Sequence, residues 1–218
     1  MSSGSSGSGS AGARRPRAKR GEGDRLREEI LEAASGLLAK TGQEEAVSIR
    51  AVAEAVGVTP PSIYLHFADK DQLLLAVCEF QFRQFDEFVE AAVARATGPM
   101  EQLMLRGAAY VRFGVEHPEH YRILFMSRPS AVTAAMVDRA VAVSGYDHLV
   151  ANVQACIDAG LVAEPDAELV AAGLWVMVHG VTSLAISVPG FPSMGIDPLM
   201  AHLAGVYVRG LGPQSPSR

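Results

Sequence analysis

Cysteine is scarce in this sequence, and its two cysteines show no metal-binding spacing. Cys78 and Cys156 lie far apart, each within a stretch of helical periodicity. No apolar segment typical of a secretory signal lies near the N-terminus. We therefore expect both side chains to be reduced, buried thiols of a cytoplasmic protein, and we expect no metal site.

Strand patterns and the motifs of common enzyme families are absent as well. The sequence has no GxGxxG or GxxxxGK loop for phosphates, no His-Glu-x-x-His and no Gly-x-Ser-x-Gly. The histidines that remain as possible bases or ligands are His117, His120, His148, His179 and His202. Their spacing matches no catalytic motif, so we expect no enzyme activity and no cofactor.

The chain also lacks the excess of positive charge that is usual in a nucleic-acid binder. Its 218 residues carry 19 Lys and Arg against 24 Asp and Glu, a net charge of −5. The charge is unevenly distributed, because residues 1–70 hold ten basic and nine acidic side chains while residues 71–218 hold nine and fifteen. The acidity therefore belongs to the C-terminal part, which need not contact a polyanion.

Residues 1–23 are expected to form a disordered leader and a basic arm. The first ten residues, MSSGSSGSGS, resemble a flexible leader added for expression. Five cations without an intervening acid follow between Arg14 and Arg20. Two interpretations of this arm stay open: a solvated tail, or a segment that folds onto DNA and reaches a minor groove.

The most informative stretch runs from Ser48 to Lys70 and begins with a short helix. Ser48 is a good N-cap, since its hydroxyl can accept from a free backbone N–H of the first turn. Gly57 lies where a helix ends in the left-handed conformation, at little cost to glycine. The apolar residues between them recur at helical spacing and are Ile49, Val52, Ala53 and Val56. A helix, a glycine-containing turn and a second helix make the helix-turn-helix pattern.

The second helix is predicted over about Pro60 to Leu65. Thr59 can cap it, and prolines in the first turn do no harm there. Ile63 is its inward anchor, which leaves outward the polar side chains Ser62, Tyr64 and His66. A further helix starts at Lys70, because Asp69 and Gln72 form a capping-box variant. In that first turn, free N–H groups and the Lys70 cation can hold a phosphate.

This stretch resembles the DNA-binding domain of the TetR family of bacterial regulators. The resemblance covers about Arg25 to Phe85. Its combined pattern consists of Ile49, Ala53, Gly57, Val58, Ser62, Ile63, Tyr64, His66, Phe67, Lys70 and Leu73. Members more often carry Ser, Pro or Lys followed by Gly or Ala where this chain has Pro60 and Pro61, which affects the side chains that reach bases but not the fold.

Helical periodicity continues through the rest of the chain and predicts an all-α fold. Asp24 is expected to cap the first helix and Gly42 to end it. The predicted helices outside the helix-turn-helix are about Asp24–Lys40, Lys70–Ala96, Met100–Glu116, Pro118–Met126, Ser130–Ala159 with an interruption near Ser144, Leu169–Val188 and Pro198–Arg209.

Leu169–Val188 is the most apolar segment and is nearly long enough for a membrane span. Polar residues interrupt it, its near flank is acidic, and no Lys or Arg lies between Arg139 and Arg209 to set an orientation. We therefore expect no membrane contact and predict a helix buried in an assembly. Its Trp175, His179 and Gly180 resemble a Trp-x-x-x-His-Gly signature of one TetR-family subgroup, and YVRFGVEHPEHYRILF resembles the family as well.

The resemblance implies a division into a helix-turn-helix DNA-binding domain at 24–70, with its motif at 48–67, and a helical regulatory and dimerisation domain at 71–218. It implies a homodimer that pairs through its last two long helices. Such a dimer binds a near-palindromic operator in double-stranded DNA, since one short helix reads only a few base pairs.

A ligand cavity between helices of the second domain is also implied, with a shift of the helix that starts at Lys70 when an effector binds. Few charges fall among the candidate lining residues, so we expect an apolar or aromatic small molecule. These candidates are Phe82, Phe85, Tyr110, Phe113, Phe125, Met126, Trp175, Met177 and His179.

The expected DNA-contacting residues lie on the outer side of the helix-turn-helix: Ser48, Arg50, Thr59, Pro60, Ser62, Tyr64, His66 and Lys70. No Arg, Asn or Gln lies between Thr59 and Phe67, so the strong bidentate base readers are missing. We expect specificity from flanking contacts and DNA shape.

The sequence therefore predicts a ligand-responsive transcriptional regulator of the repressor type. One alternative is an all-α small-molecule-binding protein that does not bind DNA. The other is an enzyme.

Overall fold

The computed structural model describes residues 22–126 and 145–211, and all regular structure within those ranges is helical, which confirms the predicted class. The helices are α1 Glu22–Thr41, α2 Ile49–Val56, α3 Pro60–Tyr64, α4 Lys70–Val93, α5 Pro99–Glu116, α6 Pro118–Phe125, α7 Tyr146–Asp158, α8 Ala167–Ser187 and α9 Ile196–Leu211. The predicted basic arm, Arg14 to Arg20, and the predicted helical segment before residue 145 lie outside the described residues.

The turn between α2 and α3 has the predicted geometry. The Ser48 hydroxyl accepts from the backbone N–H of Ala51 at 3.1 Å and caps α2. Gly57 ends α2 in the left-handed region with φ +74°, a conformation that strains any residue with a Cβ. The backbone N–H of Val58 then donates to the Ala53 carbonyl at 2.9 Å. This turn sets α3 against α2 with Ile63 fully buried between them.

A first core holds α1, α2 and α3 to the beginning of α4. Its largest fully buried side chains are Ile30, Leu31, Val47, Val52, Ile63, Leu73 and Val77. The core continues along α4 as far as Phe80 and takes in Ile123 from α6. The predicted division at residue 70 stays a prediction, but α4 and α6 each contribute to more than one core.

The rest of the described chain packs around two further cores. One lies where α4, α5, α6 and α8 meet, and it is rich in aromatic side chains around Phe85, Tyr110 and Tyr121. The other lies between α7 and α8 and contains Val153, Cys156 and Val162. Helix α8 faces both cores on one side, which places it at the centre of this part of the fold.

Two predicted caps are wrong. Helix α1 begins at Glu22, so Asp24 lies inside its first turn instead of at the N-cap. Thr59 occupies the N-cap position of α3, but its side chain accepts no backbone N–H there. Its hydroxyl lies 3.1 Å from the Ser62 hydroxyl, while the backbone N–H of Ser62 donates to the Thr59 carbonyl at 2.8 Å. The cap at Asp69 is confirmed, since its Oδ1 accepts from the backbone N–H of Gln72 at 2.8 Å.

Several predicted helix ends differ from the observed ones by a few residues. Helix α4 ends at Val93 instead of Ala96, α8 begins at Ala167, and α9 extends the prediction to Ile196 and Leu211. Asp166 caps α8 by accepting from the backbone N–H of Leu169 at 3.0 Å. Helix ends fray and tolerate a residue or two of extension, so periodicity alone does not set them.

Among the described residues, only α8 is long and apolar enough to cross a membrane by length and composition, with a mean hydropathy of 1.9. Buried helices of water-soluble proteins can have the same composition, so this is weak evidence for a span. Only 28% of its most apolar window is buried within the single chain. Much apolar surface of α8 therefore stays open in the monomer.

The two cysteines are free thiols that lie on different helices. Cys156 is buried on α7, whereas Cys78 on α4 is only half-buried, so the prediction of two buried thiols holds for one of them. Burial, reinforced by the negative charges of Glu44 and Glu79, raises the pKa of Cys78 to about 11. Cys78 therefore stays protonated at neutral pH, and the thiol is a poor nucleophile.

Candidate functional site

An exposed strip follows α3, which we call the α3 surface and define as Thr59, Pro60, Ser62, Tyr64 and Leu65. Tyr64 is 54% exposed and Leu65 84%, while Ile63, which precedes them, is fully buried. Thr59 and Pro60 are exposed, and Ser62 is half-buried with its hydroxyl bonded to Thr59. The surface thus combines hydroxyl groups with an exposed apolar side chain, on a helix that is held to the core by the buried Ile63.

Cations and the remaining predicted DNA contacts flank the α3 surface in the chain. Arg50 is exposed on α2, and the half-buried Lys70 is the first residue of α4 after the Asp69 cap. His66 is half-buried just after α3, with its backbone N–H bonded to the Ile63 carbonyl at 2.9 Å. Ser48 is half-buried, and its hydroxyl oxygen accepts the hydrogen bond that caps α2. Seven of the eight predicted contacts belong to α2, α3 and the residues that flank them, and Lys70 belongs to α4. The roles of all eight stay predictions.

The sequence pattern predicts no role for Leu65, which is the most exposed of the large hydrophobic residues described. Leu65 is the C-cap of α3 and lies two residues after the buried Ile63. Residues two apart on a helix point away from each other, so the burial of Ile63 itself indicates an outward Leu65. An exposed aliphatic side chain can make the apolar contact that distinguishes a thymine methyl group.

A cavity of about 380 Å³ lies among α5, α7, α8 and α9. Its lining is mainly apolar, with methionines and small residues prominent. The side chains from α5 and α9 include Met100, Leu103, Met104, Gly107, Met200, Ala201, Ala204 and Tyr207, and those from α7 and α8 include Leu149, Leu174, Trp175, Met177 and Val178. Such a space suits a compact apolar molecule.

Three of the nine predicted lining residues line this cavity: Tyr110, Trp175 and Met177. The other six lie elsewhere, and their assignment to a ligand stays a prediction. Met126 is exposed at the end of α6. The four phenylalanines and His179 pack in the aromatic core beside the cavity: Phe82, Phe85, Phe113, Phe125 and His179.

The aromatic core is organised around Phe85. Its ring centroid lies 5.1 Å from that of Phe113, 5.3 Å from that of Tyr110 and 5.6 Å from that of Phe125, all nearly perpendicular. Edge-to-face pairs of this kind add about 0.5–1.5 kcal/mol each beyond their buried area. These rings therefore form a closely packed wall beside the cavity, and Tyr110 belongs both to this wall and to the cavity lining.

A hydrogen-bonded network joins this wall to the cavity. Nε1–H of Trp175 donates to the hydroxyl of Tyr110 at 3.2 Å, and that hydroxyl lies 3.1 Å from the hydroxyl of Tyr121. Both hydroxyls approach Nδ1 of His179, Tyr121 at 2.7 Å and Tyr110 at 3.2 Å. The network therefore connects two cavity residues, Tyr110 and Trp175, with α6 through Tyr121.

The network carries no charge at neutral pH. Burial raises the pKa of Tyr110 and of Tyr121, so both phenols remain protonated. Burial also lowers the pKa of His179, so its imidazole is neutral. In one consistent arrangement, Trp175 donates to Tyr110, Tyr110 to Tyr121, and Tyr121 to Nδ1 of His179. The network can hold and orient a ligand next to it but offers no strong base.

The sequence did not predict most of the cavity lining, because the predicted lining residues are mainly aromatic and the observed ones are mainly aliphatic or small. Most of the missed residues lie on α5 and α9, and they include methionines and small residues such as Met104, Gly107 and Ala204. The available signal was Gly or Ala repeated at helical spacing, which opens space between helices. That pattern is also common in tightly packed helix pairs, so it does not identify a cavity by itself.

Two family models match separate stretches of the chain. The model of bacterial regulatory proteins of the tetR family matches residues 30–77. The model of the tetracyclin repressor-like C-terminal domain matches residues 103–204. Neither match establishes the Trp-x-x-x-His-Gly subgroup, which stays a prediction.

Solved structures share the whole fold. A protein of unknown function from Rhodococcus sp. RHA1 is 26% identical, with a TM-score of 0.72, over 86% of this chain and 96% of that one. A TetR family transcription regulator from Marinobacter aquaeolei VT8 is 21% identical, with a TM-score of 0.69, over 90% and 100%. AibR, solved with isovaleryl coenzyme A and operator DNA, is 21% identical, with a TM-score of 0.61, over 83% and 97%.

The matches cover the helix-turn-helix that carries the α3 surface and the helical part that encloses the cavity. The chain belongs to the TetR family of bacterial transcription regulators.

Proposed function

We propose that this chain is a ligand-responsive transcriptional repressor of the cytoplasm, which binds a near-palindromic operator as a homodimer and leaves it when an apolar or aromatic effector enters the cavity. The observation that carries the proposal is the pairing of an exposed α3 surface with a separate apolar cavity in one chain. The 24–70 segment reads DNA, and the 71–218 segment binds the effector and the second subunit. No enzyme activity is proposed, because Nδ1 of His179 is already engaged by the hydroxyls of Tyr121 at 2.7 Å and Tyr110 at 3.2 Å.

At the operator, the α3 surface enters the major groove. Ser62 and Leu65 reach base edges, Leu65 through a thymine methyl group, while Thr59, Tyr64, Arg50 and Lys70 hold phosphates. Pro60 and His66 pack against the sugar-phosphate backbone at either end of α3, and Ser48 anchors the helix before it. The missing bidentate base readers leave part of the specificity to DNA shape.

The dimer forms through α8 and α9. One stripe on α8 consists of residues at helical spacing, with Val176 69% exposed between the exposed Leu169 and Leu184. Gly180 lies on the same stripe with no atom within 4 Å of the position of its Cβ, and small residues let two helices approach closely. On α9, Val206 is exposed as well. A second copy of the chain covers this surface and leaves the two α3 surfaces related by a dyad.

Effector binding acts through α6 and α4 on the two DNA-binding domains of the dimer, which we call the reading heads. The effector contacts Tyr110 and Trp175, whose hydrogen bonds lead to Tyr121 on α6. Two residues further along α6, Ile123 is packed in the first core with α1 and the beginning of α4. A guest that displaces Tyr110 therefore moves the element on which the reading head rests, which changes the spacing of the two heads.

The effector is neutral and apolar over most of its surface. The charged groups at the cavity are Arg106 and Asp197, and Arg106 is already paired with Glu90. AibR was solved with isovaleryl coenzyme A. A screen of effectors therefore includes branched short-chain acyl thioesters beside neutral aromatic compounds.

Selection of bound sequences from random DNA by the purified full-length protein tests the proposed function. We expect an inverted repeat whose half-sites lie about one helical turn apart. A mobility shift on that sequence should then be reversed by the effector. If the protein binds small molecules but selects no DNA sequence at low salt, the result would support the alternative of a small-molecule-binding protein without DNA affinity. Turnover of a bound compound would support the enzyme.

Trp175 gives a direct assay for the effector, because it is the only tryptophan of the chain and it lines the cavity. Intrinsic tryptophan fluorescence of unlabelled protein therefore reports on the cavity. Compounds that change this fluorescence and also release the operator are effectors. A compound that releases the operator without changing the fluorescence acts at another place.

The Val176→Asp variant should weaken dimerisation at least tenfold, because it places two buried charges next to each other across the dyad. Analytical ultracentrifugation over a range of concentrations measures the monomer–dimer equilibrium. The control is Ala163→Asp, which adds the same charge at an exposed position in the loop before α8. An unchanged equilibrium in Val176→Asp would move the interface away from α8.

A further inference from the structure

A cluster of metal-binding side chains lies between α4 and α7, away from the α3 surface, and one of its members pairs with the cavity residue Arg106. Asp86 and Glu90 lie one helical turn apart on α4, and His148 reaches them from α7. Nδ1 of His148 lies 3.0 Å from Oδ1 of Asp86 and 3.3 Å from Oε1 of Glu90. One ligand atom from each of the three residues falls within 4.8 Å of the other two.

We propose that Asp86, Glu90 and His148 form a binding site for a divalent transition-metal ion, with Zn²⁺ as its best-fitting occupant, which clamps α4 to α7. The donor set is the argument for the ion. An imidazole nitrogen favours zinc and its neighbours in the transition series over magnesium or calcium, and carboxylate oxygens complete many zinc sites. Three protein donors leave a fourth position for water.

The distances fit such an ion. Ligand atoms about 2.0–2.1 Å from a tetrahedral zinc lie about 3.3 Å from one another. The two distances from Nδ1 of His148, 3.0 and 3.3 Å, are close to that value. The two carboxylate oxygens lie within 4.8 Å of each other, so a small rotation of their side chains can bring them onto the ion. Both lie on one helix face, which limits that rotation to the side chains.

Arg106 supports the site from behind. Its Nη1 pairs with Oε1 of Glu90, and its side chain is only 11% exposed, which fixes the glutamate toward His148. Carboxylate ligands of metals are commonly held by such an outer hydrogen bond. The pair also leaves one net negative charge on the cluster when His148 is neutral, so a divalent cation enters an attractive field.

Access to the site is open, because the side chain of His148 is 52% exposed while Asp86 is 22% and Glu90 38% exposed. An ion can therefore enter from solution without unfolding of the chain. The competing arrangement is an imidazolium of His148 that makes ion pairs with both carboxylates and needs no metal. Zinc titration distinguishes the two, since only the metal site binds zinc in a fixed ratio.

The experiment is a calorimetric titration of Zn²⁺ into untagged, chelator-treated full-length protein at neutral pH. We expect one zinc per chain and a raised melting temperature in zinc. His148→Ala, Asp86→Asn and Glu90→Gln should each weaken zinc binding at least about tenfold. His202→Ala removes another exposed histidine, on α9, and should leave binding unchanged.

Several outcomes would overturn the proposal. The first is a wild-type protein that binds no zinc. The second is a His148→Ala variant that binds zinc as tightly as the wild type. A third is a melting temperature that falls in His148→Ala without zinc and does not respond to zinc in the wild type, which would establish the ion pair instead. Circular dichroism of each variant shows whether it is folded. If His148→Ala is not folded, Asp86→Asn, which keeps the shape of the side chain, tests the proposal in its place.

Discussion

Replacing Gly114 with alanine is expected to lower the free energy of unfolding by about 3 kcal/mol. Gly114 is buried on α5 at its crossing with α8. A Cβ at this position would overlap Cγ2 of Thr182 on α8 and would lie 3.0 Å from Cδ2 of Tyr121. Thr182 cannot swing away without loss, because its hydroxyl donates to the Val178 carbonyl at 2.7 Å and its side chain is fully buried.

The double variant Gly114→Ala/Thr182→Ser tests this cause. Serine removes Cγ2 but keeps the hydroxyl and its hydrogen bond. We expect the double variant to recover about 1–2 kcal/mol relative to the sum of the two single variants, since residues in contact couple by amounts of this size. The remaining loss is due to Tyr121, which the serine does not relieve. Urea unfolding at one fixed protein concentration measures all four proteins, because a dimer's stability depends on concentration.

Gly36→Ala is the matched control. Gly36 also lies inside a helix, α1, but no atom lies within 4 Å of the position of its Cβ. Alanine should therefore stabilise the chain there by up to about 1 kcal/mol through helix propensity. If Gly114→Ala were as stable as the wild type, or if Thr182→Ser brought no recovery, α5 and α8 would not cross as closely in solution as the structure has them.

The head of the protein was predictable because its determinants are local. Ser48 and Gly57 begin and end α2 by interactions within a few residues, and the spacing of Val52, Ala53 and Ile63 sets their burial. Such signals survive in a sequence read without a structure. Thr59 shows where local reasoning fails. A hydroxyl before a helix predicts a cap, but here the hydroxyl pairs with that of Ser62, and the Ser62 N–H bonds to the Thr59 carbonyl instead.

The cavity and the metal cluster depend on contacts between residues far apart in the chain. Asp86 and His148 are separated by 62 positions, and Tyr110 and Trp175 by 65. Periodicity places each residue on a helix face but does not say which helices meet. Residue type alone points to the aromatic candidates, but in the structure Phe85 and Phe113 pack in the aromatic core, and Met104 and Ala204 line the cavity.

Lys70→Gln is expected to weaken operator binding about 100-fold. Lys70 is the first residue of α4, where the free backbone N–H groups of the helix end and the ammonium group can hold the same phosphate. A hydrogen bond to a charged group contributes about 1.5 kcal/mol or more, and the dimer makes this contact twice, which gives about 3 kcal/mol. Glutamine keeps the length and helix propensity of the side chain but removes its charge.

The dependence on salt identifies the contact as one to phosphate. Two phosphate contacts fewer per dimer should make the slope of log K against log salt shallower by about 2. Affinity for non-operator DNA should fall in proportion, because phosphates carry no sequence information. Fluorescence anisotropy with labelled operator at several salt concentrations measures both quantities.

Arg95→Gln removes the same charge from an exposed position just beyond the other end of α4. At 1.5 Å per residue the two positions are about 38 Å apart, several Debye lengths at physiological salt. We therefore expect Arg95→Gln to change operator affinity less than about twofold. Equal losses in both variants would mean that the overall charge of the chain, and not a contact of α4, governs binding. An unchanged affinity in Lys70→Gln, with an unchanged melting temperature, would remove Lys70 from the interface and with it the phosphate site at the start of α4.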